Sequence, residues 1–178
     1  MTRTIALLRA INITGRTVKM DRLRVLFAEM GFANVSTYIA SGNVLFDGDG
    51  AAEALEERIE AHLQAALGFE VATFLRTPAE IAAAAAYQPF AREEIEAAFG
   101  LMVIFLKRAP DEAATVRLMT YRNANNDFAV HSREVYWLRR TQQSLSSFSA
   151  ATLERILRAP ATLRNVTTVR KLGGISKQ

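Results

Sequence analysis

A chain of 178 residues, half of them hydrophobic and 22% charged, has the composition of a globular protein with room for one large domain or two small ones. It has no cysteine, which excludes disulfides, thiolate nucleophiles and cysteine-ligated zinc or iron–sulfur centres. The formal net charge of +4 is unevenly spread, with two basic chain ends around an acidic stretch over 47–96, a layout that can draw an anion to one face but that a solvated arginine-rich surface also produces.

In chain order, residues 4–9 form a strand-like apolar run. Residues 20–30 place Leu23, Leu26, Phe27 and Met30 at helical spacing, with Gly31 as the stop. Two short strands, 35–40 and 43–46, flank a tight turn at Ser41-Gly42. A helix over 51–67 carries the stripe Leu55, Ile59, Leu63 and Leu67. Asp49 lies in its cap region, Gly68 ends it, and Glu53, Glu56, Glu57 and Glu60 read as its wet face. A strand follows at 71–76.

Thr77-Pro78-Ala79-Glu80 is a capping box with proline at the first helical position, opening a helix that stops before Gln88-Pro89. Residues 101–106 are apolar throughout, which predicts a central strand or one covered on both faces. The remaining elements fall at 110–119, 128–131, 135–138, 149–157 and 162–165. The order β-α-β-β-α-β thus occurs twice. It predicts an α+β fold of two tandem ferredoxin-like units packed as one body: a first unit over 1–77, a helical linker over 78–100, and a second unit over 101–178 with a C-terminal helix. The first strand of each unit should be central, between the second hairpin strand and the fourth strand. The end of the first strand and the β2–β3 turn are expected at opposite ends of the sheet. The longest apolar run is too short to span a membrane, and the N-terminus lacks the pattern of a secretory signal, so no membrane partner and a cytoplasmic location are expected.

Three stretches gather polar groups. In the first, residues 7–16, a strand empties into a turn carrying Arg9, Asn12 and Gly15, where arginine forks and free N–H groups suit phosphate or carboxylate. Neither a P-loop nor a dinucleotide fingerprint is present. The second, residues 38–43, holds Ser41 and Asn43 at the hairpin turn. No G-x-S-x-G elbow surrounds Ser41, and with His62 and His131 the only histidines, nothing makes it a nucleophile. In the third, residues 161–172, a strand ends at Arg164-Asn165, and Thr167 or Thr168 caps a basic helix bearing Arg170 and Lys171. No acidic or histidine cluster has metal-ligand spacing, and no cofactor is expected.

Leu7-Leu-Arg-Ala-Ile-Asn12, the stretch from Tyr38 to Phe46 and the stretch from Thr162 to Leu172 resemble three signature segments of the bacterial Domain of Unknown Function 1697 family. The resemblance spans the whole chain and implies a duplicated ferredoxin-like α+β fold, with no established activity. The chain departs from the family at Thr14-Gly15, where Gly-Gly is usual, and at Val166, where an aromatic is usual.

The functional expectation is a protein that binds a small phosphorylated or carboxylated ligand through Arg9, Asn12, Ser41, Asn43, Arg164, Asn165, Thr168 and Lys171. One alternative is single-stranded nucleic-acid binding through the basic ends, with Tyr38, Tyr136 and Trp137 as stacking residues. The other is an enzyme that uses arginine and lysine for electrostatic stabilisation, although no general base stands out.

Overall fold

The structure, a computed structural model, describes residues 1–12, 17–39, 42–142 and 148–175. The chain divides into two units: unit 1 is Met1–Ala82 together with the chain from Leu172 onward, and unit 2 is Ala83–Lys171.

Unit 1 runs β1 (Thr2–Leu8), α1 (Met20–Glu29), β2 (Ala33–Tyr38), β3 (Asn43–Gly48), α2 (Ala52–Leu67) and β4 (Thr73–Arg76). The helix α3 (Pro78–Ala86) crosses into unit 2. Unit 2 continues with α4 (Arg92–Ala97), β5 (Gly100–Leu106), α5 (Glu112–Met119), β6 (Asn126–His131), β7 (Glu134–Arg139), α6 (Ala150–Leu157) and β8 (Ala161–Asn165). The last helix, α7 (Val166–Ile175), straddles the division. Each sheet is four-stranded and antiparallel, in the orders β2-β3-β1-β4 and β6-β7-β5-β8. As the sequence pattern predicts, β1 and β5 are central, each between the second hairpin strand and the fourth strand.

The alternation of side chains along a strand sorts each sheet into two faces. In unit 1, Ala6, Leu8, Val44, Phe46 and Leu75 form one core with Leu23, Leu26 and Phe27 of α1 and Leu55, Ile59 and Leu63 of α2. The rings of Phe27, Phe32 and Phe46 meet at centroid distances of 4.3–6.0 Å. In unit 2, Ile104, Leu106, Val135 and Trp137 pack with Leu118 of α5 and Leu153 and Ile156 of α6. Here Phe128, Trp137 and Phe148 form the aromatic cluster, and the Trp137 indole N–H donates to Asn126 Oδ1 at 2.9 Å. The other face is closed as well: Ile5, Leu7, Leu45 and Phe74 in unit 1, and Val103, Phe105, Tyr136 and Leu138 in unit 2, are all buried. Burial on both faces explains why residues 101–106 read as continuously apolar.

The helix boundaries follow local chemistry, with three corrections. The capping box at Thr77 forms as read: Thr77 N–H donates to Glu80 Oε2 at 2.8 Å, and Glu80 N–H to Thr77 Oγ1 at 3.2 Å. Gly68 ends α2 in the left-handed region, φ 78°. Asp49, however, does not cap α2; it pairs with the Met1 ammonium at 3.2 Å, and α2 starts after Ala51 without a side-chain cap. Glu53 and Glu57 are exposed, but Glu56 is buried and Glu60 half-buried, so the wet face is narrower than the sequence implies. Their carboxylates accept the N–H groups of Leu75 (2.9 Å) and Thr73 (2.7 Å), donors of the edge strand β4 that have no neighbouring strand. Neither threonine caps α7: Asn165 Oδ1 accepts Thr167 N–H at 2.9 Å. That helix continues through Gly173 and Gly174, and its residues Val166, Val169, Leu172 and Gly173 are buried. Among the described residues, no helix is long and apolar enough to cross a membrane.

Candidate functional site

Antiparallel pairing decides where the polar loops of unit 1 meet. Leu7 lies opposite Asn43, so the end of β1 sits beside the start of β3 and therefore beside the β2–β3 turn. The expectation that these two features lie at opposite ends of the sheet is wrong: a turn leading into a strand antiparallel to β1 must lie at the C-terminal end of β1. Leu8 N–H donates to Gly42 O at 2.8 Å, and Arg9 N–H to Ala72 O at 2.8 Å, so the strand end is pinned on both sides.

The loops at this end are built from unusual backbone. Ala10 (φ 58°), Asn12 (φ 58°), Ile39 (φ 50°) and Gly42 (φ 73°) all occupy the left-handed region. Only Gly42 is free of a steric penalty there, and for β-branched Ile39 the conformation is an outlier. Gly42 is required twice over, because a Cβ at that position would stand 3.1 Å from Leu8 Cβ and 3.2 Å from Ile11 Cβ. Asn12 Oδ1 accepts Val18 N–H at 2.7 Å and thereby closes the β1–α1 loop; Asn43, buried, donates from Nδ2 to Tyr38 O at 3.0 Å and closes the hairpin. Arg9 is half-buried, immediately after the strand. Ser41 and Gly15 lie outside the described residues, as does Thr14.

In unit 2 the third stretch is placed differently from the expectation of an open basic helix start. Arg164 lies in β8 opposite Val103 and is buried. Its Nη1 donates to Thr162 Oγ1 and to Leu163 O, both at 2.8 Å, and burial pushes its guanidinium down to about 10, still charged at neutral pH. Asn165 is committed to the start of α7, Thr168 is half-buried and Lys171 exposed. The aromatics read as stacking residues are corrected too. Tyr136 and Trp137 are buried in the sheet, the Tyr136 hydroxyl donating to Ala84 O at 3.1 Å, and Tyr38 is half-buried. Neither Tyr136 nor Trp137 can stack on a nucleobase while the fold is intact. His131 stacks on Tyr87 with centroids 4.2 Å apart, and His62 pairs with Glu29 at 3.1 Å.

One basic concavity escaped the sequence reading. Lys107 and Arg108 follow β5 as Arg9 and Ala10 follow β1, and with Arg158 they line a cleft of about 360 Å³. The available signal was the repeat itself, since aligning β1 on β5 puts Lys107 at the position of Arg9. Among the described residues, no group of three or more histidine, aspartate or glutamate side chains is arranged to hold a metal ion.

A solved structure described as that of conserved bacterial protein SP0830 from Streptococcus pneumoniae is similar over 100% of this chain and 99% of its own, with a TM-score of 0.78 and 22% identity, a likeness of fold. No curated protein matches the chain. The family model for proteins of unknown function DUF1697 matches residues 1–136, most of the chain and all of unit 1's sheet. The protein therefore belongs to the DUF1697 family of proteins of unknown function.

Proposed function

We propose that unit 1 binds a small anion, a phosphate or carboxylate group, where the β1–α1 loop and the β2–β3 turn meet, with Arg9 as its cationic contact. The observation that carries the reading is the clustering of left-handed residues in two loops at one sheet end, three of them not glycine. Backbone held in such conformations costs roughly 1–3 kcal/mol per residue and is concentrated at ligand-binding loops. Asn12 and Asn43 act as braces that hold the loops, and the successive N–H groups of a left-handed turn make a concavity suited to an anion. The proposal leaves Arg164 and Asn165 in their strand and helix-start roles. With it we place each unit among ferredoxin-like folds related by duplication, on the support of the shared element order and strand order, and we place the protein in the cytoplasm.

The test is a titration of the full chain with inorganic phosphate and with acetate, followed by amide and arginine Nε–H chemical shifts. Saturable shifts at Leu8, Gly42 and the Arg9 side chain are expected, with Arg9→Ala weakening binding by about tenfold or more, the loss of one charge-assisted hydrogen bond. A pocket ligand of this size should also show a shallow salt dependence, unlike a polynucleotide. Equal affinity in the wild type and Arg9→Ala would refute the reading.

A further inference from the structure

The geometry points to a second binding site, in unit 2, for a phosphate monoester with a compact apolar group. The site is the cleft between the β5–α5 loop and the α6–β8 loop. Its volume of about 360 Å³ falls in the range of small-molecule pockets. Its floor is apolar, with Leu106, Ala114 and Leu157 all buried. Its rim is cationic: Lys107 is half-buried, and Arg108 and Arg158 are exposed with no ion pair among the described residues. The one acidic lining residue, Asp111, caps α5 with its Oδ1 accepting Ala114 N–H at 2.6 Å, and its single negative charge stands against three cations in the lining. A rim of three cations over an apolar floor matches a ligand with an anionic head and an apolar body. Pro110 and Pro160, one in each loop, stiffen the walls and lower the ordering cost of binding.

The position of Arg158 separates this from an ordinary basic surface. In unit 1 the helix before the fourth strand ends on Gly68, φ 78°, the residue that takes a left-handed cap without strain. In unit 2 the corresponding helix, α6, ends on Arg158 in the same conformation, φ 51°. A residue with a Cβ is disfavoured there, and helix termination alone is served better by glycine. The strained choice puts an arginine in the lining of the cleft that also holds Lys107 and Arg108.

The experiment is isothermal titration of the full chain with phenyl phosphate, with inorganic phosphate and phenol as fragment controls. Phenyl phosphate should bind saturably and more tightly than either fragment. Arg158→Gly and Arg108→Gln should each weaken it about tenfold. Because glycine suits the left-handed cap, Arg158→Gly should keep the wild-type Tm within a few degrees, so weaker binding would not reflect unfolding. Repeated in the Arg9→Ala background, where the anion site of unit 1 is weakened, the preference for phenyl phosphate and its dependence on Arg158 and Arg108 should persist, which distinguishes the two sites. Phenyl phosphate binding no tighter than its fragments, or unchanged affinity in both arginine variants, or sensitivity to Arg9→Ala alone, would each overturn the proposal.

Discussion

The two units keep one hydrogen-bonding register and differ in what the register carries. Ile5 in unit 1 and Val103 in unit 2 hold the same place: Ile5 lies between Leu45 and Arg76, and Val103 between Tyr136 and Arg164. By the same count Phe46 corresponds to Trp137, each the centre of an aromatic cluster, and Asn43 to Glu134, both buried. Even the buried arginines behave alike, each donating from Nη1 to the carbonyl of the residue before it, Leu75 O or Leu163 O, at 2.8 Å. The loops diverge. Residues 9–19 join β1 to α1, where 107–111 suffice between β5 and α5, and the hairpin turn takes 39–42 in unit 1 but only 132–133 in unit 2. A sheet tolerates substitution in place because a slip of one residue turns every side chain to the wrong face, whereas a loop is free to change length. Differences in function between the units should therefore lie at the loop ends, and differences in stability at the matched core positions.

The sharpest way to break the correspondence of the cores is to truncate both centres. Phe46→Ala and Trp137→Ala should each cost about 3–5 kcal/mol, since each removes a fully buried ring from three-ring packing. Trp137→Ala also leaves Asn126 Oδ1 without its indole donor, so it should be the more damaging. Urea unfolding of the two variants measures this. A cost below about 1 kcal/mol in either one would show that the register match does not extend to the energetics.

A smaller effect probes the edge strands. Glu60 Oε1 accepts Thr73 N–H in unit 1, and Glu154 Oε1 accepts Ala161 N–H at 2.8 Å in unit 2; Thr73 and Ala161 are matched by register, opposite Leu8 and Leu106. Unit 1 adds Glu56 on Leu75 N–H, one helical turn away, while the residue one turn before Glu154 is Ala150. Glu56→Ala should cost about 1–3 kcal/mol by stranding a buried donor, and Glu154→Ala should cost less because its partner lies nearer the strand end. Amide exchange at Leu75 should accelerate in Glu56→Ala and that at Ala161 in Glu154→Ala. Unchanged protection at Leu75 would remove the edge-sealing role of α2.

These contacts also mark what could be read from the sequence. Element order, strand centrality and the stops at Gly31 and Gly68 follow from periodicity and glycine placement, which are local signals. Helical spacing alone puts Glu56 and Glu60 beside the wet face; what turns them inward is an edge strand thirteen or more residues later in the chain. The meeting of the β1 end with the hairpin turn is likewise invisible to local patterning, because it depends on the antiparallel pairing of β1 with β3. Arg164 makes a related point: a strand-end arginine in sequence gives no sign of whether its guanidinium faces solvent or donates to its own strand.

The finest comparison sets Tyr136 against Leu45, its match in unit 1. Tyr136 gives unit 2 a buried hydroxyl that donates to Ala84 O. At neutral pH, Tyr136→Phe should cost about 0.5–1.5 kcal/mol, the net value of one hydrogen bond. Burial, reinforced by the nearby Glu134 and Tyr87, raises the phenol well above its ordinary value of 10.0. The sign follows: the folded state holds the proton more tightly than the unfolded chain, so the contribution is fully present below pH 10 and falls as pH rises beyond it. The wild type should then lose stability faster than Tyr136→Phe above pH 10. The gap between them should narrow and, at high enough pH, reverse. Urea unfolding of both proteins at pH 7, 9, 10 and 11 reads this out. Parallel losses across that range would mean that the Tyr136 hydroxyl titrates like a solvated phenol, and that position 136 differs from Leu45 in packing alone.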